Sequence, residues 1–256
     1  MLSQTNTKPL NLTSASVSLV GDRQENQDAC LLVQTGHLVL AAVADGLGGH
    51  EGGALIAQEL CHSLEESLAN LALPLTKAGI SDWLMTVQQH LITTLQHKPG
   101  CQDAHTTLAL CCLTPQTTAI ANLGDSRVYR IDTQGGIWRT RDHSVAQMLV
   151  DDGEISDEDM ATHPDQSKLF KAISLANPTA PRVSLGKPLQ AGEILLLCSD
   201  GFWTGLTKEK LNSLLQSEDL PQDLHTLAQA AIFNHKGKSD NVTAIVMRCD
   251  TCYEKR

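Results

Sequence analysis

Residues 38–53 read Leu-Val-Leu-Ala-Ala-Val-Ala-Asp-Gly-Leu-Gly-Gly-His-Glu-Gly-Gly. The apolar run Leu38–Ala44 breaks on Asp45-Gly46 and passes through glycines into a helical pattern that starts at Ala54. A short run rich in Val, Leu and Ala marks a buried strand. Strand, glycine loop and helix together invite a phosphate-cradling reading, and the spacing excludes it. G-x-G-x-x-G begun at Gly46 requires glycine at position 51, where Glu51 stands, and no Lys-Ser/Thr follows for a Walker loop. The glycines instead let backbone crowd a charged site, with Asp45 at the strand end and His50 at its rim.

The same arrangement recurs outward along the chain. Ala119–Leu123 runs into Gly124-Asp125, and Leu195–Cys198 runs into Ser199-Asp200-Gly201. Asp240-Asn241 precedes the strand pattern Val242–Arg248, and Asp28 opens Ala29–Val33. One Asp-Gly is ordinarily a turn signal. Repeated at strand ends, aspartates can gather at one edge of a sheet scaffold, where their mutual repulsion forces protonation or demands a cation. Carboxylate and carbonyl oxygen suit hard ions, so Mg²⁺ or Mn²⁺ is the expected occupant.

Further strand patterns lie at Ala15–Val20, Thr106–Leu113, Thr117–Leu123, Arg127–Ile131 and Glu193–Cys198. Thr114-Pro115-Gln116 suits a hairpin between two of them. Helical stripes occupy Ala54–Leu71, Ser81–Gln96 (with Ser-Asp as its cap), Lys208–Leu215 and Pro221–Phe233. Strict βαβ alternation is absent, so the expectation is an α+β fold of antiparallel sheets with helices outside. Residues 142–180 are polar and acidic with weak periodicity and read as a flap over the core. One domain, 1–256 with its core at about 15–248, is expected, and no linker or repeat divides it.

The aromatic share is 3%, so the core must be aliphatic, and the formal charge of −10 argues against nucleic acid, which needs a basic surface. No apolar run approaches the ~20 residues of a membrane span, and the N-terminus lacks a signal-peptide pattern. Cys30, Cys61, Cys111, Cys112 and Cys198 sit in apolar runs as small hydrophobes; Cys249 and Cys252 read as tail. A reducing cytoplasm is the expected compartment.

Taken together, Arg23-x-x-Asn26-Gln27-Asp28, Asp45-Gly-Leu-Gly-Gly-His50, Asn122-Leu-Gly-Asp125-Ser-Arg127, Asp142-His143-Ser144, Ser199-Asp200-Gly201 and Asp240-Asn241-Val-Thr243 spell a pattern. In order and spacing it resembles the metal-dependent protein serine/threonine phosphatases of type 2C in their bacterial form, over residues 15–248. The resemblance implies a four-layer αββα sandwich and hydrolysis of phosphoserine and phosphothreonine by a metal-activated water. It implies two Mn²⁺ or Mg²⁺ ions, with Asp45 bridging them, the Gly46 carbonyl helping one, and Asp200, Asp240 and Asp28 serving the second. Arg23 matches the family's phosphate-binding arginine, and His50 is the candidate general acid, a hydrogen-bonding loop histidine being the alternative. Asp142-His143-Ser144 would fix the start of the flap, and Arg127 would pair with acidic neighbours.

Two positions depart from the family pattern. Thr204 stands where many members carry an acid that joins the Gly-Asp-Ser aspartate, here Asp125, around a third ion, so that ion is expected to bind weakly or not at all. His105 precedes Thr106-Thr107 where glycine is usual, which leaves the local backbone in question. Implied partners are phosphorylated proteins, a cognate Ser/Thr kinase and its substrates, met by a monomer without nucleic acid or membrane. The alternatives are a catalytically weak phosphoprotein-binding module of the same fold, a regulatory phosphatase of anti-anti-sigma-like proteins, and a nucleotide hydrolase. No sensor domain supports the second of these, and no base or ribose site supports the third.

Overall fold

The computed structural model describes residues 10–48 and 51–250, with backbone alone at residue 51. Along the chain run β1 (Leu12–Leu19), β2 (Asp28–Thr35), β3 (Leu38–Leu47), α1 (Glu51–Glu66), α2 (Lys77–Leu95), β4 (His105–Thr106), β5 (Leu108–Leu113), β6 (Thr118–Leu123) and β7 (Arg127–Ile131). They are followed by β8 (Ile137–Arg139), α3 (Val145–Asp151), β9 (Ile173–Ser174), β10 (Arg182–Gly186), β11 (Ile194–Cys198), α4 (Asp200–Trp203), α5 (Lys208–Asn212), α6 (Leu220–Asn234) and β12 (Val242–Cys249). One sheet has the order β1-β12-β11-β7-β8; the other has β10-β6-β5-β3-β4-β9, with β2 also paired to β3. Neighbours within both are antiparallel.

Period-two alternation builds the layers. On β3, Leu38, Leu40, Ala42 and Ala44 pack against Ile56, Leu60 and Leu64 of α1 and Leu84 and Leu91 of α2. Val39, Ala41 and Val43 of the same strand face Leu195, Leu197, Ile245 and Met247 of the opposite sheet. The outer face of that sheet, with Ile194, Leu196, Val242 and Val246, is covered by Phe202, Leu224 and Ala228 of α4 and α6. Helix, sheet, sheet, helix is the α+β sandwich expected, with an aliphatic interior between the sheets.

Several boundaries move. α2 starts at Lys77, not Ser81, because the Thr76 hydroxyl accepts the Gly79 N–H at 3.0 Å and Ile80 and Trp83 extend the buried stripe. The run Thr106–Leu113 is two strands: at Thr107 the chain turns from the end of β3 to its middle, so β4 pairs Gly46 and Leu47 while β5 pairs Val39–Val43. The short strands β8, β9 and β10 and helices α3 and α4 escape the sequence reading, since each is too short or too polar to show a period. Cys249 is no tail residue; it ends β12 at 1% exposure, while Cys252 lies outside the described residues.

The segment 142–180 leaves β8 and returns through β9 onto β4. Its root is a buried charge cluster. Arg127 donates to both Asp142 oxygens (Nε at 2.9 Å, Nη2 at 2.6 Å) and to the Tyr129 hydroxyl at 2.9 Å, with its guanidinium 3.3 Å above the Trp203 ring. Asp142 is thus the acidic neighbour expected for Arg127. Removing one partner of a buried pair strands the other charge, so Arg127→Ala should lower the unfolding free energy by about 3–5 kcal/mol. Lys208→Ala, which breaks only exposed pairs with Asp157 and Glu158, should change it by less than about 1 kcal/mol. Urea denaturation distinguishes the two; equal losses would contradict the assignment.

Candidate active site

The two sheets bring the strand-end aspartates to one edge of the sandwich. β2 and β3 set Asp28 directly opposite Asp45 in their antiparallel register. Asp200 follows β11, Asp240 precedes β12, and those strands are neighbours. Asp45, Gly46, Asp240 and Arg23 line a cleft of about 490 Å³, and Asp200 lies within hydrogen-bonding reach of Asp45.

Hydroxyls and amides hold the aspartates in place. Asp45 is pinned through its backbone: its N–H donates to Thr107 Oγ1 at 3.0 Å, and its carbonyl accepts the Thr107 N–H at 2.9 Å and Thr106 Oγ1 at 3.0 Å. Asp28 Oδ2 accepts Ser199 Oγ at 2.8 Å. Asn241 ties down the loop that carries Arg23, donating to the carbonyls of Val20 (2.8 Å) and Glu25 (2.9 Å) and accepting the Gln27 N–H (2.8 Å). From the 142–180 segment, Gln166 Nε2 reaches Asp200 Oδ2 at 3.4 Å. Thr107, Ser199 and Asn241 lay in or beside the quoted motifs without an assigned role; Gln166 carried no signal in the sequence.

Glycine is required by close approach at two points. A Cβ on Gly46 would lie 2.1 Å from the Gly53 carbonyl oxygen, where α1 begins, and one on Gly201 would lie 2.2 Å from the Asn241 carbonyl oxygen. His105, by contrast, needs no glycine. It pairs Leu47 and Ser174 as extended β4 backbone, and among the described residues Lys236 is the non-glycine with positive φ.

Burial and mutual repulsion load the cluster electrostatically. Desolvation pushes the Asp28 carboxyl up to about 7, opposed by the Ser199 hydrogen bond and reinforced by Asp200 and Asp240. Asp45 is raised well above the ordinary range by desolvation and then by Asp28, Asp200, Asp125 and Asp240. Asp200 is raised by desolvation and Asp240. Asp125, 3% exposed between β6 and β7, is raised by desolvation, Asp200 and Asp142, with Arg127 opposing. Asp28 Oδ1 and Asp200 Oδ1 are buried without a hydrogen-bond partner.

Among the described residues no three such side chains already close into a ligand cage. The donor chemistry nevertheless fits a divalent hard cation: several carboxylates, the orphaned oxygens and the Gly46 backbone at the cleft wall. Arg23 Nη2 donates to Asp240 Oδ2 at 2.8 Å, with side chains 59% and 39% exposed. Thr204 turns its hydroxyl to the Asp200 carbonyl (2.6 Å) and lies 3.2 Å from His235 Nε2. His143 shares hydrogen bonds with Gly124 in both directions and stacks edge-on against Phe170, a structural place at the start of the 142–180 segment. His50 lies outside the described residues.

A protein phosphatase 2C family model matches residues 18–234, and the chain belongs to that family. Serine/threonine phosphatase stp of Listeria monocytogenes is 28% identical over 226 residues, 85% of this chain and 87% of that one. The crystal structure of the Mycobacterium tuberculosis serine/threonine phosphatase PstP/Ppp superposes with a TM-score of 0.81 at 26% identity, covering 93% of this chain and 99% of that one. The PstP catalytic domain in complex with two manganese ions superposes at 0.78 with 25% identity, covering 93% and 97%. Among the described residues no helix is long and apolar enough to cross a membrane.

A carboxyl raised in the folded state contributes stability that is complete below its unfolded value and is lost as pH rises through its folded value. For Asp28 that window runs from 3.8 to about 7. In chelator, Asp28→Asn should therefore gain stability relative to the parent chain as pH climbs through this window, measured by thermal unfolding. A gap that closes or reverses with rising pH would contradict the burial of this carboxyl.

Proposed function

We propose that the chain, as a single catalytic unit with 142–180 as its flap, is a metal-dependent serine/threonine protein phosphatase. It hydrolyses phosphoserine and phosphothreonine in phosphorylated proteins. The observation that carries this reading is the convergence of Asp28, Asp45, Asp200 and Asp240 beside Arg23 in a member of the protein phosphatase 2C family. Asp45, Asp200, Asp240 and the Gly46 carbonyl would hold two divalent ions, Mn²⁺ or Mg²⁺, with Asp28 in support. Such ions supply an activated water and neutralise charge on the phosphoryl group.

Arg23 orients the phosphoryl group. Its exposed pair with Asp240 is worth only about 0–1 kcal/mol, so a phosphate dianion competes for the guanidinium and can take two of its N–H donors at once. His50, by its place in the motif, gives the proton to the departing serine or threonine oxygen. Gln166 donates to Asp200 from the flap and so links flap position to the centre. Asp125 would hold a third ion only weakly, because the Thr204 hydroxyl is neutral and engaged by the Asp200 carbonyl. The kinase that phosphorylates the same proteins is the opposing partner. Buried reduced thiols at Cys61, Cys111, Cys112 and Cys198 suit the cytoplasm, where the chain would act as a monomer.

Hydrolysis of a phosphothreonine peptide under titrated Mn²⁺, against a chelator blank, tests the reading. Metal-dependent phosphate release is expected, falling more than about a hundredfold in Asp45→Asn and Asp200→Asn while the fold survives. Thr204→Asp should lower the Mn²⁺ concentration at half-rate. Folded protein that releases no phosphate at any metal concentration would leave the phosphoprotein-binding module; near-parental rates in Asp45→Asn would overturn the metal assignment. Arg23→Ala should raise KM more than it lowers kcat.

A further inference from the structure

A second groove, of about 410 Å³, opens beside the carboxylate cleft and shares Leu47 and Gly48 with it as a common wall. Its floor is the small sheet in which His105 of β4 pairs Leu47 of β3 on one side and Ser174 of β9 on the other. Phe170 and Lys171 of the flap line it as well, with Thr179. These walls are fixed. The buried Gln88 of α2 holds the Thr179 backbone through both its amide atoms, at 2.9 and 3.0 Å, and the Phe170 N–H donates to the His143 carbonyl at 3.0 Å.

The charge of this groove is opposite to that of the molecule. The chain carries −10 overall, yet among the described residues no carboxylate lines the groove. Lys171 is exposed and makes no ion pair among the described residues, and neither does exposed Arg182 on β10. Both cations lie close enough to hold the His143 imidazole below its ordinary range, after desolvation, and His143 is stacked against Phe170. An exposed ammonium, a half-exposed aromatic ring and an exposed histidine therefore sit a loop's width from the Asp45 centre.

Resting on the phosphatase reading, we propose that this groove is a subsite for an anionic side chain flanking the phosphorylated residue, a carboxylate or a second phosphate, held by Lys171 with Arg182 in support. The phosphoresidue enters the carboxylate cleft while the adjoining extended segment crosses Leu47-Gly48. Phe170 covers that segment's aliphatic surface, and Lys171 meets its negative charge. The chain then prefers acidic phosphorylation sites despite its own acidic surface, because steering by this local patch acts at closer range than the net charge.

The test is a set of phosphothreonine peptides carrying Gln, Glu or a non-hydrolysable phosphonate analogue of phosphoserine at each flanking position, assayed with Mn²⁺. The readout is the ratio of kcat/KM for each anionic peptide to that of its Gln counterpart. At one or more flanking positions the Glu ratio should reach about fivefold, the range of a part-exposed ion pair, and shrink with added salt. If the site takes phosphate in preference to carboxylate, the phosphonate ratio exceeds the Glu ratio at the same position. Lys171→Glu should invert the preference and Lys171→Ala should erase it. Equal rates for all peptides in the parent chain, or a ratio unchanged in Lys171→Glu, would overturn the subsite alone. Absence of hydrolysis for every peptide would overturn the phosphatase reading and the subsite with it.

Discussion

Like charge held out of water at the edge of the sandwich is the constraint on which the rest of this structure depends. Antiparallel register places Asp28 opposite Asp45, and Asp200 and Asp240 arrive beside them from the ends of two adjacent strands of the other sheet. Directly opposed like charges destabilise a strand pair. The aliphatic core offsets that cost, since β3, β11 and β12, which end at or open beside Asp45, Asp200 and Asp240, are buried on both faces. Burial in turn makes the repulsion stronger than it would be in water. The site is therefore a place where fold stability is spent on holding oxygen donors in readiness for cations.

Small polar groups and missing side chains make this arrangement geometrically possible. Thr106 and Thr107 fix the Asp45 backbone from β4 and the turn after it, and Ser199 fixes Asp28 from the opposite sheet. Gly46 and Gly201 allow backbones to approach where a methyl group would collide with a carbonyl oxygen. Behind them, Arg127 joins Tyr129 and Trp203 of the scaffold to Asp142 at the root of the 142–180 segment, and Trp203 Nε1 donates to the Asp125 carbonyl at 3.0 Å. The start of the 142–180 segment and the carboxylates thus share one buried framework.

Much of this was legible in the residues. The short apolar strands, the aspartates at their ends and the helical stripes were enough to expect antiparallel sheets with helices outside and an acidic edge; the four-layer sandwich followed from the resemblance to the type 2C phosphatases. What stayed hidden depends on contacts distant in sequence. The split of Thr106–Leu113 arises from hydrogen bonds to Asp45, 61 and 62 residues away, which no local pattern can reveal. β9 is a two-residue edge strand, β10 alternates only Val183 and Leu185 over five residues, and Gln166 is one amide in a polar stretch. His105 looked like a backbone problem because glycine is usual there; in the fold it is an ordinary strand residue whose side chain lines the neighbouring groove.

The central claim is that buried, mutually repelling carboxylates await divalent cations, and proton release tests it most directly. Mn²⁺ should be titrated calorimetrically near pH 6 in two buffers of different ionisation enthalpy, because cations that bind carboxylates held protonated must displace their protons. The account predicts the release of at least about one proton per chain on saturation, with Asp28 pushed up to about 7 as a main source. Binding with no buffer dependence of the heat, or no binding at all to the folded chain, would contradict it.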